Sequence, residues 1–172
     1  MRGIFLFFLL LSIIQIAGAQ VIVVELNDAI TPASDDIISE ALENALQSDA
    51  QVLVITMNTP GGGLEETKKI LDHIQNSPVP VIAYVYPNGA TAWSAGTIIL
   101  LAADVAAMAP NTIIGSAQPV EMTGEGIKPI TEEKIVNAVV ALAQEKAKQH
   151  GRNETAAGQF ITSNLNLDAE KA

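Results

Sequence analysis

The 172-residue chain has no cysteine and only two histidines, His73 and His150. Without cysteine there are no disulfides, no thiol nucleophile and no thiolate metal site. Carboxylates are plentiful, but no histidine cluster accompanies them, so neither a metal hydrolase nor any resident metal or cofactor is expected. Basic residues are scarce: 9 Lys and Arg stand against 19 Asp and Glu, a formal charge of −10. That balance argues against a nucleic-acid surface and against charge-driven docking on anionic lipid. Aromatics are only 4% of a chain that is 49% hydrophobic, so the core must come from Ala, Val, Ile and Leu. Such a composition suits helices laid on a parallel sheet, whose inner strands read as unbroken aliphatic runs.

The length fits one domain with a real core. Residues 1–19 differ from the rest: Arg2, then the apolar run Ile4 to Ile16, then Ala17-Gly18-Ala19. A basic start, a short apolar centre and a small-residue exit read as a secretory signal, with a retained N-terminal membrane anchor as the alternative. The run is short of the roughly 20 apolar residues of a spanning helix. The folded domain is therefore expected over residues 20–172, exported or membrane-associated.

Within it, Val21 to Leu26, Val52 to Met57, Val81 to Tyr86 and Val105 to Ala109 read as strands. Between them lie helices begun by Pro32 and Ser34, by Leu64 after a glycine turn, and by Ser94. Repeated β-α-β predicts a parallel sheet flanked by helices. Asn111 to Pro129, with Gly115, Gly124 and Gly126, reads as an irregular loop over a site. A long helix is predicted from an N-cap at Thr131 to Gln149, and a shorter one over Thr155 to Ile161. Asp168 reads as the N-cap of a further helix, which suggests a domain truncated at its C-terminus.

Ligands of open parallel sheets bind beyond the carboxyl ends of the strands. Two segments stand there: Gly61-Gly62-Gly63, and Ala90-Thr91-Ala92-Trp93-Ser94-Ala95-Gly96. Glycines allow close backbone approach, and a helix starting at Ser94 offers free N–H groups and a positive dipole end. An amide near Gly62 and that of Ala95 would then form an oxyanion hole beside a serine. The glycines do not form a phosphate-binding P-loop, since no Gly-Lys-Ser/Thr follows, nor a dinucleotide fingerprint. Ser94 as a plain helix cap is the bland alternative. A nucleophilic serine needs a base. His73 falls on the polar side of its helix with Glu66, Lys69 and Asp72, and His150 at a helix C-terminus, so a lysine becomes the candidate.

The segments Asn58-Thr59-Pro60-Gly61-Gly62, Tyr84-Val85-Tyr86-Pro87, Ser94-Ala95-Gly96-Thr97, Ala107-Met108-Ala109-Pro110, Ile114-Gly115-Ser116, Lys134-Ile135-Val136-Asn137 and Gly151-Arg152-Asn153 occur in one order. Together they resemble the NfeD family of membrane-bound serine peptidases, relatives of signal peptide peptidase A and the Clp peptidase subunit. The resemblance covers residues 21–172 and implies a Clp/crotonase-type α/β fold. It also implies a Ser94-Lys134 dyad and an oxyanion hole at Gly61, Gly62 and Ala95. Asn58, Thr91 and Trp93 depart from the family's usual Asp, Ser and small residue, and Trp93 bears on substrate fit beside Ser94.

A lysine serving as base near neutral pH must lose about 4 kcal/mol of preference for its charged form. A helix N-terminus contributes at most about 1–2 kcal/mol of that, so desolvation must supply most of the rest. Lys134 is accordingly expected to point inward beneath the 111–129 loop, with Lys128 the alternative base. An extended peptide needs an edge to lie along, and Thr112 to Val120 is expected to offer it. Gly63, Trp93, Ser116 and Gln118 would line the substrate site. The resemblance further implies apolar peptide substrates, a stomatin- or prohibitin-like membrane partner, and a homodimer or higher homo-oligomer. Two alternatives remain: a crotonase-type acyl-CoA hydratase or isomerase, and a non-catalytic scaffold on the same fold.

Overall fold

The computed structural model describes residues 19–172; the signal or anchor expected in residues 1–18 lies outside the described residues. Four parallel strands, β1 (Val21–Leu26), β2 (Val52–Met57), β3 (Val81–Val85) and, later in the chain, β5 (Val105–Met108), form one sheet in the order β1-β2-β3-β5. The register sets Ile22, Val24 and Leu26 beside Leu53, Ile55 and Met57, and these beside Val81, Ala83 and Val85. This face carries the core: Leu53, Ile55, Met57, Val81, Ala83 and Val85 are wholly buried. Each large aliphatic among them is worth about 1.5–3 kcal/mol. Helices α1 (Pro32–Gln47), α2 (Leu64–Gln75) and α3 (Ala95–Ala102) supply the opposing layer through Ile38, Leu42, Ile70, Leu71 and Ile99. On the opposite face Val21, Val23 and Val105 are exposed.

A second sheet crosses the carboxyl ends of the first. It contains β4 (Thr91–Trp93), β6 (Ile113–Gly115) and β9 (Asn166–Asp168), with β4 parallel and β9 antiparallel to β6. Single bridges extend it toward β1: Thr59 pairs with Ala92, and Ile30 with Gly62. The glycine turn is thereby sewn between two segments instead of hanging free. Helices α4 (Glu133–Gln149) and α5 (Glu154–Thr162) complete the fold, and α4 packs on α3 through Val139, Ala143 and Ala147.

Four expectations need correction. Residues 111–129 are not a bare loop, because β6 and a hairpin of β7 (Val120–Thr123) and β8 (Gly126–Pro129) lie within them. The hairpin register places Val120, Met122, Ile127 and Pro129 on one face, and Met122 is 88% exposed. Thr112 to Val120 offers no free edge at β6, which is paired on both sides. The cap of α4 is Glu132, not Thr131, with the Ile135 and Val136 amides donating to its carbonyl. Asp168 ends strand β9 and is followed by a turn, not by the first turn of a helix, with the Lys171 amide donating to Asp168 Oδ1 at 2.9 Å.

The carboxyl end of α3 is held by basic side chains. Arg152 Nη1 donates to the Leu101 carbonyl at 2.7 Å, and His150, the C-cap of α4, stands close to Ala102 at the same end. Cations are favoured at such an end. Even so, burial lowers the His150 pKa from its ordinary value near 6.5, aided by the Arg152 charge and opposed by Asp104. The folded state thus binds this proton less readily than the unfolded chain. Its share of stability is full above pH 6.5 and is lost as pH falls through the folded value. Thermal melts of His150→Gln at pH 5.5 and 7.5 should show a smaller gain on raising pH than wild type; an equal gain would refute this role.

Candidate active site

Ser94 sits between β4 and α3 at φ 52°, ψ −117°, a conformation non-glycine residues rarely hold. Hydrogen bonds to neighbouring backbone over-determine it. The Ser94 amide donates to Gly115 O at 2.9 Å, the Trp93 amide to Thr59 O at 3.0 Å, and the Thr97 amide to Ser94 O at 3.0 Å. The Ser94 hydroxyl, half-buried, has no hydrogen-bond partner among the described residues.

The glycine turn presses against this elbow. A Cβ on Gly61, itself at φ 95°, would stand 2.5 Å from Ser94 Cβ and 3.1 Å from the Ala95 nitrogen. A Cβ on Gly62 would lie 2.1 Å from Ile30 O. Both positions therefore require glycine, the first for the serine and the second for the chain behind it. The Gly61 amide is engaged with Thr59 Oγ1 at 3.1 Å, and the Gly63 amide with Ile30 O at 2.9 Å. The Gly62 and Ala95 amides donate to no protein acceptor among the described residues, and Ala95 opens α3. Of the expected oxyanion set, Gly62 and Ala95 thus have free donors, whereas Gly61 shapes the site without one.

Ser94 opens into a pocket of about 210 Å3 lined by Gly62, Gly63, Leu64, Thr67, Ile98, Ala117, Pro119, Val120, Ile130, Ile135 and Val139. Apart from Ser94 and the buried Thr67, whose hydroxyl is spent on Gly63 O at 2.6 Å, its side chains are apolar. Gly63 lies where the substrate site was expected. Trp93 is 40% exposed and does not line the pocket. Ser116 and Gln118 are tied off instead: Asn166 Nδ2 donates to Ser116 Oγ at 2.8 Å and Asn164 Nδ2 to Gln118 Oε1 at 2.9 Å. Their amides are engaged too, with Leu165 O and Asn164 Oδ1.

Lys134 is exposed in the first turn of α4 and does not line the pocket; its neighbour Ile135 does. The inward orientation expected from sequence is absent, and no hydrogen bond joins Lys134 to Ser94. Lys128 is on the exposed hairpin, paired with Glu125. His73 is paired with Asp35 at 3.0 Å across α1 and α2, away from the Ser94 pocket. Sequence reasoning overlooked Thr97, a wholly buried hydroxyl one turn beyond Ser94. Its signal was a single polar residue in an otherwise small and aliphatic helix.

These features can be set beside known proteins. A membrane-bound protease, PH1510, of Pyrococcus horikoshii is 39% identical over 155 residues, which are 88% of this chain and 35% of the relative. The membrane protein NfeD1b of Bacillus subtilis is 31% identical over 116 residues, 67% of this chain and 25% of the relative. This chain thus spans about a third and a quarter of their lengths. Among solved structures, a lysine-to-alanine mutant of the 1510-N membrane-bound stomatin-specific protease, in complex with a substrate peptide, superposes with a TM-score of 0.87. It is 38% identical, and the match covers 91% of this chain and 72% of that one. A serine-to-alanine mutant of the same protease gives 0.85 at 37% identity, covering 90% and 75%. The ClpP catalytic domain of Plasmodium falciparum, 17% identical over 88% of this chain and 79% of its own, shares the fold with a TM-score of 0.64. The pattern of the NfeD1b N-terminal domain matches residues 20–172, and the chain belongs to that family, on a ClpP-like α/β fold.

Proposed function

We propose that this chain is the catalytic domain of a membrane-associated serine peptidase that cleaves apolar peptide segments. Ser94 is the nucleophile, Lys134 the general base, and the Gly62 and Ala95 amides the oxyanion donors. The observation that carries the reading is the unpartnered Ser94 hydroxyl on a strained elbow, flanked by two unused amides and facing an apolar pocket. The names of the relatives support peptide cleavage over thioester chemistry or scaffolding.

In this reading Ser94 Oγ attacks the substrate carbonyl as its proton passes to Lys134 Nζ. The carbonyl oxygen gains negative charge between the two amides, at the positive end of α3. Collapse expels the amine, which takes the proton from Lys134, and water then releases the acyl group by the same route. Lys134 must turn from solvent for this. Ile135 already lines the pocket, so the lysine leaves α4 one residue from the mouth. A substrate, or a second protomer, covering the mouth would remove the water that favours the charged amine. The pocket suits one aliphatic side chain, and the apolar hairpin face running out from Val120 suits the rest of an apolar segment. By analogy with the stomatin-specific relative, the substrate is a segment of a stomatin-like membrane protein, met on the extracytoplasmic side. Among the described residues no helix is long and apolar enough to cross a membrane, so attachment would come from elsewhere in the protein.

The test is covalent capture. A fluorophosphonate should add to Ser94 alone, located by mass spectrometry, and block hydrolysis of apolar peptides. Absence of both adduct and hydrolysis would end the peptidase reading.

A further inference from the structure

Resting on that reading, we infer that Thr97 is a positioning residue, holding the nucleophile's backbone in its working shape through Gly115. Thr97 is wholly buried. Its Oγ1 lies 2.7 Å from Ala92 O and 3.1 Å from Gly115 O, and accepts the Gly115 amide at 2.8 Å. One hydroxyl has one hydrogen; it goes to the nearer Ala92 O, while a lone pair takes the Gly115 N–H. Gly115 O in turn accepts the Ser94 amide, and the Thr97 amide donates to Ser94 O. The Ser94 amide thus ends on the carbonyl of Gly115, the residue whose own amide Thr97 accepts, and the Ser94 carbonyl ends on the Thr97 amide.

Gly115 cannot drift to compensate. It stands at φ 134°, and a Cβ there would meet Leu165 O at 2.0 Å and Asn166 Cα at 2.8 Å, so the chain entering β9 backs directly onto it. Ser94 holds an unfavourable conformation and is kept there only by what surrounds it. Loss of the Thr97 hydroxyl would leave Ala92 O and the Gly115 N–H, in a dry place, with only their ladder pairing to each other and without the hydroxyl that bridges them to α3. The local route to relief is relaxation of the 92–94 backbone. Ser94 Oγ and the Ala95 amide would then shift together, and reaction rates are sensitive to displacements of an ångström. Substrate contacts in the pocket of Ile98, Ile135 and Val139 would persist.

The signature is thus in kcat and not in KM. In the full-length protein, Thr97→Val should lower kcat, and the rate of Ser94 capture by fluorophosphonate, about 10- to 100-fold with KM within about threefold. Thr97→Ser, which keeps the hydroxyl and loses a buried methyl, should melt lower yet hold kcat within about threefold of wild type. A folded Thr97→Val with wild-type kcat and capture rate overturns the inference. So does a folded Thr97→Ser that loses more than about tenfold in kcat, which would decide the matter even if the valine variant failed to fold. Were wild type itself both inert to the probe and unable to hydrolyse apolar peptides, the peptidase reading would fall first and this inference with it.

Discussion

Ser94→Ala is expected to abolish peptide cleavage, by at least about a thousandfold in kcat, while leaving thermal stability where it was. The two halves of that result have separate origins. Activity goes because the only atom removed is the one that forms the acyl bond. Stability stays because that atom has no hydrogen-bond partner among the described residues, and alanine meets the same backbone strain through its own Cβ. Ser94→Gly carries the point further. Glycine is at ease at φ 52°, so this variant should be equally dead yet more stable by about 1 kcal/mol, a rise in melting temperature of about 3 °C. A glycine variant that melts below wild type would mean the elbow is not strained. An alanine variant that still cleaves would remove Ser94 from the chemistry altogether.

The second large effect is at Lys134. Its replacement by alanine should lower kcat by about a thousandfold or more, because among the described residues no other lysine and no histidine lines the pocket. His73 is engaged with Asp35, His150 caps α4 at the end opposite Lys134, and Lys128 is paired with Glu125 on the hairpin. Lys134→Arg should fail as badly, since a guanidinium cannot be deprotonated. Lys128→Ala should cleave as wild type does. Capture of Ser94 by fluorophosphonate in the Lys134→Ala protein should slow in parallel. Cleavage at wild-type rates without Lys134 would refute the dyad, and loss on removing Lys128 instead would transfer the role to the hairpin.

The strands β1 and β2 were legible to the residue, because an aliphatic run bounded by polar and glycine positions has one reading in a parallel sheet. The glycine turn and the serine elbow were legible as well, since both stand where strands end. What could not be read was which glycine does what. Gly61 and Gly62 look alike in sequence, and only the Thr59 hydroxyl and the Ile30 backbone tell them apart. The hairpin hid because Gly124 and Gly126 suggested looseness where they serve a turn, its closure made by Thr123 Oγ1 on Gly126 O. Strand β9 hid for a different reason: its partner Ile114 precedes it by about fifty positions, and no local pattern announces such pairing. Ser116 and Gln118 looked available for the same reason, because Asn164 and Asn166 reach them only through that fold. The exposure of Lys134 was likewise beyond sequence, for a first-turn position allows either direction.

Parallel strands give the main sheet a front and a back. Gln20 O, at the back, takes the Gln51 amide, whereas the glycine turn and Ser94 crown the front. Six residues of β1 at about 3.3 Å each separate the two by roughly 20 Å. Were the stretch ahead of Gln20 an anchor, the surface holding it would join the fold a full strand length away from the Ser94 hydroxyl. On the proposed reading, a polypeptide rooted in that same surface would have to rise by about that much before its scissile bond met the elbow, and the reach of its own stalk would become a ruler for where it is cut.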